Sequence, residues 1–428
     1  MRGKIKIEWA RRMDRLPPYL FATINELRHK MRQANRDVID LAMGNPDRPT
    51  PPHIVKKMIE AVSDGRNHRY SVSKGIFNLR RDVAIYYKNR YGVELNPNSE
   101  VVACIGSKEG ISHMALAMLG PGDTALVPSP FFPIHVYTAI IAGANVITVP
   151  MNDPRAPHAA HEKGDGSFHV DGFLGRLSMA MKQLHPTPKM LYLNFPHNPT
   201  AYVVEPDFYT EVVKLARKNG ICIIQDFAYK DIVFDGYRSP SILAVPGAKD
   251  IAVEFFTLSK SYNMAGWRMG FCVGNEKMCS ALAKIKGYYD YGHFQAVQIA
   301  AIVALRSPQE IVSEIAKIYE RRRNVLIDGL NRIGWPCSPP KASMFAWVPM
   351  PRQYRKMGSM KFSLMLLEKS EVAVSPGKGF GDDGEGFLRI ALVENEQRIR
   401  QAVRQIDHVL NLRPKPEPVK KSTRSASS

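Results

Sequence analysis

Several polar side chains suited to anion binding and to chemistry lie directly after apolar runs in the middle of the chain. They are Ser107, Lys108, Asn198, Asp226, Tyr229, Ser259, Lys260 and Arg268. Ser107 and Lys108 follow Gly106 at the start of a helical pattern, where hydroxyls, backbone N–H groups and a helix N-terminus could hold a phosphate. Each residue alone is a weak signal, because a strand-end Asp often caps a helix and a single Lys usually lies on the surface.

The apolar runs before these residues alternate with amphipathic stretches, a pattern typical of strand and crossover-helix units around a mostly parallel sheet. A helical pattern ends at Asn219-Gly220, and residues 152–172 are predicted to form an exposed connection. Since ligands bind beyond the carboxyl ends of the strands in such sheets, we expect the polar residues above to meet at one edge. The predicted strands cover residues 101–105, 124–128, 145–149, 189–195, 221–226, 253–258 and 269–274.

The sequence pattern of the 428-residue chain changes near residue 300. Longer helical patterns follow, and then the strand-like runs MFAWVP, VAVSP and FLRIAL. The tail is rich in Pro, Lys and Ser and has almost nothing apolar to bury. We therefore predict four parts: an N-terminal segment (1–50) packing with the small domain, a large α/β domain (51–300), a smaller α+β domain (301–412) and a disordered basic tail (413–428).

The composition is globular with an excess of positive charge: 59 Lys and Arg against 40 Asp and Glu give a formal net charge of +19. This charge suits nucleic-acid binding, or a soluble surface with a few cations around an anionic ligand. The five cysteines stand alone without a Cys-x-x-Cys, which favours a reduced, cytoplasmic setting over a disulfide framework or a zinc site. No apolar stretch approaches the roughly 18 residues of a membrane span.

As a set, the motifs resemble those of the fold-type I pyridoxal-phosphate aminotransferases of class I/II. Within that family, the runs MGNPD, GSKEG, EFFTLSKSYNMAGWR and SPGKGFGD look most like those of the bacterial glutamate–pyruvate (alanine) aminotransferases. The resemblance implies an α/β fold with a mostly parallel sheet in the large domain, and pyridoxal 5′-phosphate as the cofactor. The match runs in order through Met43-Gly44-Asn45-Pro46, Tyr70, Asn198-Pro199-Thr200, Asp226-x-x-Tyr229, Ser259-Lys260, Arg268 and Arg389.

The resemblance assigns four side chains to the reactive end of the cofactor. Lys260 would bond to the cofactor aldehyde and, once freed as an amine, move a proton from the substrate Cα. Asp226 would pair with the ring nitrogen and keep it protonated. Asn198 and Tyr229 would hydrogen-bond the 3′-oxygen of the ring and so adjust the pKa of the linkage to Lys260.

The resemblance also places the ring face and the phosphate. Phe132 would stack on the ring, with the adjacent Phe131 as a competitor for that role, and Thr257 could add a hydroxyl near the phosphate. Tyr70 matches a tyrosine that reaches the phosphate of the neighbouring subunit, which implies a homodimer with a shared active site. The matching phosphate ligands are Ser107, Lys108, Ser259 and Arg268, of which the arginine gives a forked, charge-assisted contact.

For the substrate, the resemblance implies that Arg389 takes the α-carboxylate as a bidentate pair. Gly44 and Asn45 would flank that carboxylate, with Asn198 beside it. The sequence departs from the common family pattern at Ala201, where Gly is usual, so this turn must accept a Cβ.

The histidines show no metal-ligand spacing, and we expect no bound metal. They are interpreted as structural or solvated, although the segment that carries His293 could face the substrate. The residues concerned are His68, His135, His197 and His293.

The leading prediction is transamination between an L-amino acid and a 2-oxo acid, with alanine and 2-oxoglutarate giving pyruvate and glutamate. The nearest alternative amino donor is LL-diaminopimelate, followed by a different fold-type I reaction such as carbon–sulfur lysis. A regulator that retains the fold is an alternative from another class, supported only by the net charge. We expect small-molecule partners and a homodimer, and neither nucleic acid nor membrane.

Overall fold

The computed structural model describes residues 7–17, 21–153 and 168–412. The predicted disordered tail (413–428) and most of the predicted connection at 152–172 lie outside these residues.

The described strands are β1 (Ile39–Asp40), β2 (Val101–Cys104), β3 (Thr124–Ser129), β4 (Asn145–Pro150), β5 (Met190–Leu193), β6 (Cys222–Asp226), β7 (Ala252–Thr257), β8 (Gly270–Gly274), β9 (Phe345–Pro349), β10 (Val372–Ala373), β11 (Ser375–Pro376) and β12 (Phe387–Ala391). The described α-helices are α1 (Phe21–Gln33), α2 (Pro52–Ser63), α3 (Phe77–Tyr91), α4 (Ser107–Met118), α5 (Pro133–Ile141), α6 (Val170–Gln183), α7 (Pro206–Lys218), α8 (Leu258–Ser261), α9 (Glu276–Tyr289), α10 (Gln295–Arg306), α11 (Gln309–Arg332), α12 (Ser359–Ser370) and α13 (Glu396–Leu410).

Seven of these strands form one sheet in the order β2-β8-β7-β6-β5-β3-β4. The four pairs from β4 to β7 are parallel, whereas β8 is antiparallel to both of its neighbours. All seven strands predicted from the sequence are present, so the predicted mostly parallel α/β sheet is confirmed. The segment between β7 and β8 carries α8, and it therefore lies at the carboxyl end of a central strand.

The large sheet is covered on both faces, because its strand side chains alternate between two apolar clusters. Leu191 and Leu193 of β5 pack in one cluster with α3 and α7, and Met190 and Tyr192 pack in the other with α4 and α5. A parallel sheet with both faces buried needs apolar side chains in both directions, and continuous apolar runs provide them.

A separate apolar core lies around β9, β12, α11 and α13. The N-terminal segment joins it through Ile39 and Leu41, because β1 pairs in parallel with β10. The predicted run VAVSP is divided at Val374: β10 pairs with β1, whereas β11 pairs antiparallel with β12. The domain boundaries at residues 50, 300 and 412 stay predictions. None of the helices in the described ranges has both the length and the apolar character to cross a membrane.

Candidate active site

A cavity of about 300 Å³ lies at the carboxyl ends of the central strands. Asn45 and Tyr70 are exposed and lie outside its lining. Of Phe131 and Phe132, it is Phe132 that lines the cavity, while the backbone N–H of Phe131 donates to the carbonyl of Phe380 at 2.8 Å. The predicted residues that do line it are Gly44, Ser107, Lys108, Phe132, Asn198, Asp226, Tyr229, Thr257, Ser259, Lys260, Arg268 and Arg389.

Lys260 lies in α8, a single turn of helix that begins directly after β7. Thr257 caps this turn, because its Oγ1 accepts the Ser259 backbone N–H at 3.1 Å. The Lys260 Nζ donates to the backbone carbonyl of Gly44 at 2.8 Å. Burial, together with the charges of Arg389 and Arg268, lowers the pKa of the Lys260 amine to about 8. A large neutral fraction is therefore present near pH 8, as a nucleophile or base requires.

Asp226 ends β6 with its carboxylate buried under the cavity. Its Oδ2 lies 3.0 Å from His135 Nε2, which must carry a proton in this contact because a carboxylate only accepts. Its Oδ1 is buried and has no hydrogen-bond partner among the described residues. A buried carboxylate oxygen without a donor is costly, so this atom fits a ligand that brings its own N–H.

The start of α4 forms a cradle for an anion together with Arg268. Gly106 has φ = 80°, and a Cβ there would lie 2.5 Å from the guanidinium of Arg268. A Cβ on Gly270 would lie 2.6 Å from the backbone N of Ser107. Only glycine allows this close approach, which brings the N–H groups at the helix start and the arginine together beside Lys108.

A cluster of charged side chains supports this helix start from behind. The backbone N–H of Ile105 donates to Glu109 at 2.7 Å, and Lys286 Nζ lies 3.0 Å from both Glu109 and Asp290. Burial opposes ionisation of Glu109, but the hydrogen bond from His113 and the charge of Lys286 lower its pKa to about 2. The carboxylate therefore stays charged and keeps its contact with the backbone before α4.

Arg389 points into the cavity from β12 and is buried. Its Nη1 donates to Asn198 Oδ1 at 2.8 Å and its Nη2 to the carbonyl of Ala42 at 3.0 Å. Its guanidinium carbon lies 4.1 Å from the ring centroid of Phe345 and 4.6 Å from that of Phe380. The two rings hold the planar guanidinium in one orientation, which suits bidentate recognition of a carboxylate.

The turn after β5 brings Asn198 next to Tyr229. Burial raises the pKa of the Tyr229 phenol, an effect that the charge of Arg389 partly offsets. Ala201 adopts φ = 59°, so the turn does place a Cβ in the left-handed region. The two side chains are therefore fixed beside both Asp226 and Arg389.

A sequence profile described as aminotransferase class I and II matches residues 36–406. The chain belongs to this family. The aminotransferase is 50% identical to the glutamate-pyruvate aminotransferase AlaC of Escherichia coli (strain K12) over 92% of both chains. It is 40% identical to the LL-diaminopimelate aminotransferase of Moorella thermoacetica, over 94% of this chain and 98% of that one. The substrate-bound BacF structure from Bacillus subtilis superposes with a TM-score of 0.84 at 30% identity, over 94% of this chain and 98% of that one.

The aminotransferase depends on pyridoxal phosphate, as its family does. Its residues fit that group: the glycine-lined cradle and Arg268 suit a phosphate, Asp226 Oδ1 suits a protonated ring nitrogen, and the Lys260 amine suits an aldehyde.

The sequence leaves the places of two histidines open. His135, interpreted from the sequence as structural or solvated, is buried and contacts Asp226. Its place three residues after Phe132, at the start of a helix, is the local signal for this position. His293 does not line the cavity, and its Nε2 lies 2.9 Å from the carbonyl of Arg268. It therefore contacts the arginine segment rather than the cavity.

Proposed function

We propose that the aminotransferase exchanges an amino group between L-alanine and 2-oxoglutarate, giving pyruvate and L-glutamate. The observation that carries this substrate pair is the 50% identity to the E. coli glutamate-pyruvate aminotransferase. The wall that α1 and the C-terminal part of the chain contribute to the cavity supports it, since Ile24, Phe345 and Phe380 are apolar and, besides Arg389, the other residues there, Asn25 and Ser375, carry no charge. Such a wall favours a small, uncharged substrate side chain such as the methyl group of alanine.

When bound, pyridoxal phosphate supplies an electron sink for the negative charge that is left on Cα after its proton is removed. The Arg389 guanidinium binds the substrate α-carboxylate and so orients the Cα–H bond. Lys260 Nζ takes that proton, for which its pKa of about 8 is suitable. Asp226 Oδ1 would accept the N–H of the cofactor ring, while His135 holds the carboxylate in place. Asn198 and Tyr229 would act as donors to the ring oxygen.

The amino donors can be ranked by single-turnover spectroscopy. The holoenzyme is mixed separately with L-alanine, L-glutamate, L-aspartate, L-phenylalanine and LL-diaminopimelate, and the loss of the absorbance of the lysine-bound cofactor is followed. We expect alanine to react at least about tenfold faster than LL-diaminopimelate, because a misfit in an apolar pocket costs about 10–200-fold. L-Glutamate, the donor of the reverse half-reaction, should also convert the cofactor. D-alanine is the matched control and should leave the spectrum unchanged. Fastest reaction with LL-diaminopimelate would refute the alanine proposal.

LL-diaminopimelate is the second candidate donor, and it is favoured by the 40% identity to the M. thermoacetica enzyme. This substrate carries a second ammonium and a second carboxylate group at its far end. The cavity would have to desolvate both groups, one charge more than the single side-chain carboxylate of glutamate, which is unfavourable without polar partners. For this reason we place it behind alanine.

We also propose that the protein works as a homodimer in which Tyr70 completes the partner's active site. Tyr70 is 91% exposed and lies outside the cavity of its own chain. Its ring packs against Tyr291 at 5.6 Å, and the same two segments of the chain carry further exposed apolar side chains, Val72 and Phe294. An exposed patch of this kind favours contact with a second protein surface, and a second copy would bring Tyr70 to a phosphate site.

Complementation between two variants tests this arrangement. The Lys260→Ala chain has an intact Tyr70 but no catalytic amine. The Tyr70→Phe chain has the amine but lacks the tyrosine hydroxyl. If the site is shared, each mixed dimer contains one site in which both residues are intact. An excess of the Lys260→Ala variant should therefore raise the activity of the Tyr70→Phe variant several-fold at limiting cofactor. The double variant Lys260→Ala/Tyr70→Phe is the matched control and should not raise it. Equal activity in both mixtures, or a wild-type sedimentation mass of one 48.1 kDa chain, would contradict the proposal.

A cytoplasmic location stays a prediction. All five cysteines are free thiols in the structure, and all but Cys222 are buried. This distribution suits a reduced setting, in which the thiols behave as small apolar side chains.

A further inference from the structure

We propose that Asp231 is a positioning residue, which holds the Lys260 turn in place for proton transfer through a hydrogen bond with Ser261. The inference rests on the proposed function in one respect: it takes Lys260 as the group that moves the Cα proton.

Asp231 accepts three contacts, one from its neighbour Lys230 and two from distant parts of the chain. Ser261 Oγ donates to its Oδ2 at 2.6 Å, and Lys230 Nζ contacts the same oxygen at 2.7 Å. Arg90 of α3 contacts Oδ1 at 2.8 Å. The Asp231 side chain is only 1% exposed, so these donors replace the water that a carboxylate would otherwise bind.

The hydrogen bond between Asp231 and Ser261 affects Lys260 because of where these residues lie in the chain. Ser261 is the residue directly after Lys260 and ends α8, which has only four residues. Asp231 lies two residues after Tyr229, so the hydrogen bond ties the lysine turn to the segment that carries Tyr229. A single helical turn has little stability of its own, and a side-chain tie at its last residue therefore limits its motion.

Asp231 acts from behind the active site rather than inside it. It does not line the 300 Å³ cavity, but lies with Tyr86 and Arg90 on the wall of a second cavity of about 1120 Å³ between α3 and the start of α11. Its effect on the substrate must therefore pass through Ser261, which distinguishes it from a catalytic residue.

The surrounding charges keep the Asp231 carboxylate ionised, so that it can accept hydrogen bonds. Burial alone would raise its pKa, but Lys230 and Arg90 lower it below the usual value. The other titratable groups that face this cluster are the phenols of Tyr86, Tyr91 and Tyr262 and the carboxyl group of Glu254. Burial raises the pKa of each phenol, so all three stay neutral over the pH range in which the enzyme works.

The test removes the tie while leaving the charges in place. Ser261→Ala keeps Asp231, Lys230 and Arg90, and we expect it to lower kcat about tenfold, as the loss of one hydrogen bond to a charged group would. The kinetic isotope effect with Cα-deuterated L-alanine, or with the fastest donor of the spectral panel, should rise because proton transfer becomes slower. The apoenzyme should also capture added pyridoxal phosphate more slowly, by a similar factor, while KM changes little.

Two further variants complete the experiment. Asp231→Asn should lower kcat further than Ser261→Ala, because it also leaves two cations without their counter-charge. Ser363→Ala is the matched control: this serine is also buried, and its hydroxyl has no hydrogen-bond partner among the described residues. It should match the wild type in all three measurements. If Ser261→Ala also shows the wild-type isotope effect and capture rate, the inference is overturned, whereas failure of the proposed function itself would show in Lys260→Ala.

Discussion

Replacing Lys260 with alanine is expected to lower transamination by about 10⁴-fold or more and to remove the visible absorbance of the lysine-bound cofactor. In the proposed mechanism the lysine supplies both the amine that bonds to the cofactor and the base that moves the Cα proton, and a base alone contributes about 10²–10⁴-fold. Lys260 is the one lysine besides the exposed Lys108 among the residues that line the described cavity. Steady-state kinetics and the absorbance spectrum of the purified protein, after cofactor is supplied, measure the two effects.

Lys277→Ala is the control for this variant, because Lys277 is an exposed lysine on α9 of the same sheet domain. It should keep both the colour and the activity.

In the wild type, the rate at which the apoenzyme captures cofactor should rise as the pH increases through about 8, because deprotonation of the lowered-pKa amine produces the nucleophile. A colourless wild type, or a Lys260→Ala variant that keeps its lysine-type spectrum, would refute the assignment.

Replacing Arg389 with alanine is expected to lower kcat/KM by about 100- to 4,000-fold while the cofactor colour remains. Breaking a buried ion pair costs about 3–5 kcal/mol, and the substrate carboxylate would lose its buried partner in this variant. Arg389→Lys should recover little of the loss, since an ammonium group cannot fill the flat space between Phe345 and Phe380 or give two parallel hydrogen bonds. The measurements are steady-state kinetics with varied amino acid and a titration of the apoenzyme with cofactor.

The matched control is Arg404→Ala, an exposed arginine on α13, which should leave kcat/KM unchanged. If Arg389→Ala loses cofactor binding together with substrate binding, the residue is structural and its proposed role is wrong. Such a structural role would act through the contacts of Arg389 with Asn198 and the Ala42 carbonyl.

The elements of the large sheet could be predicted from the sequence because their signals are local. Seven continuous apolar runs, separated by glycine, proline and amphipathic stretches, became the seven strands of one sheet. The helix predicted to stop at Asn219-Gly220 does end there, and Gly220 adopts φ = 67°, which glycine reaches without strain. The convergence of Asn198, Asp226 and Lys260 follows from the same logic, since parallel strands end at one edge.

Other parts of the site depend on segments that are far apart along the chain. Gly44 meets Lys260, and a Cβ at this glycine would overlap the ring of Phe345. The division of VAVSP between two small sheets likewise depends on β1, because a strand takes whichever partner lies beside it. The sequence around Gly44 does not specify its contact with Lys260, and the sequence around β10 does not specify its pairing with β1.

The sequence by itself thus determined the sheet, the family and most of the predicted residues that line the cavity, because apolar runs and short motifs are properties of neighbouring residues. Only the tertiary structure decided that His135 holds Asp226, that two aromatic rings clamp Arg389, and that Asp231 reaches Ser261. Each of these contacts joins side chains on different elements. Their distance is set by how helices and sheets pack rather than by the residues next to them.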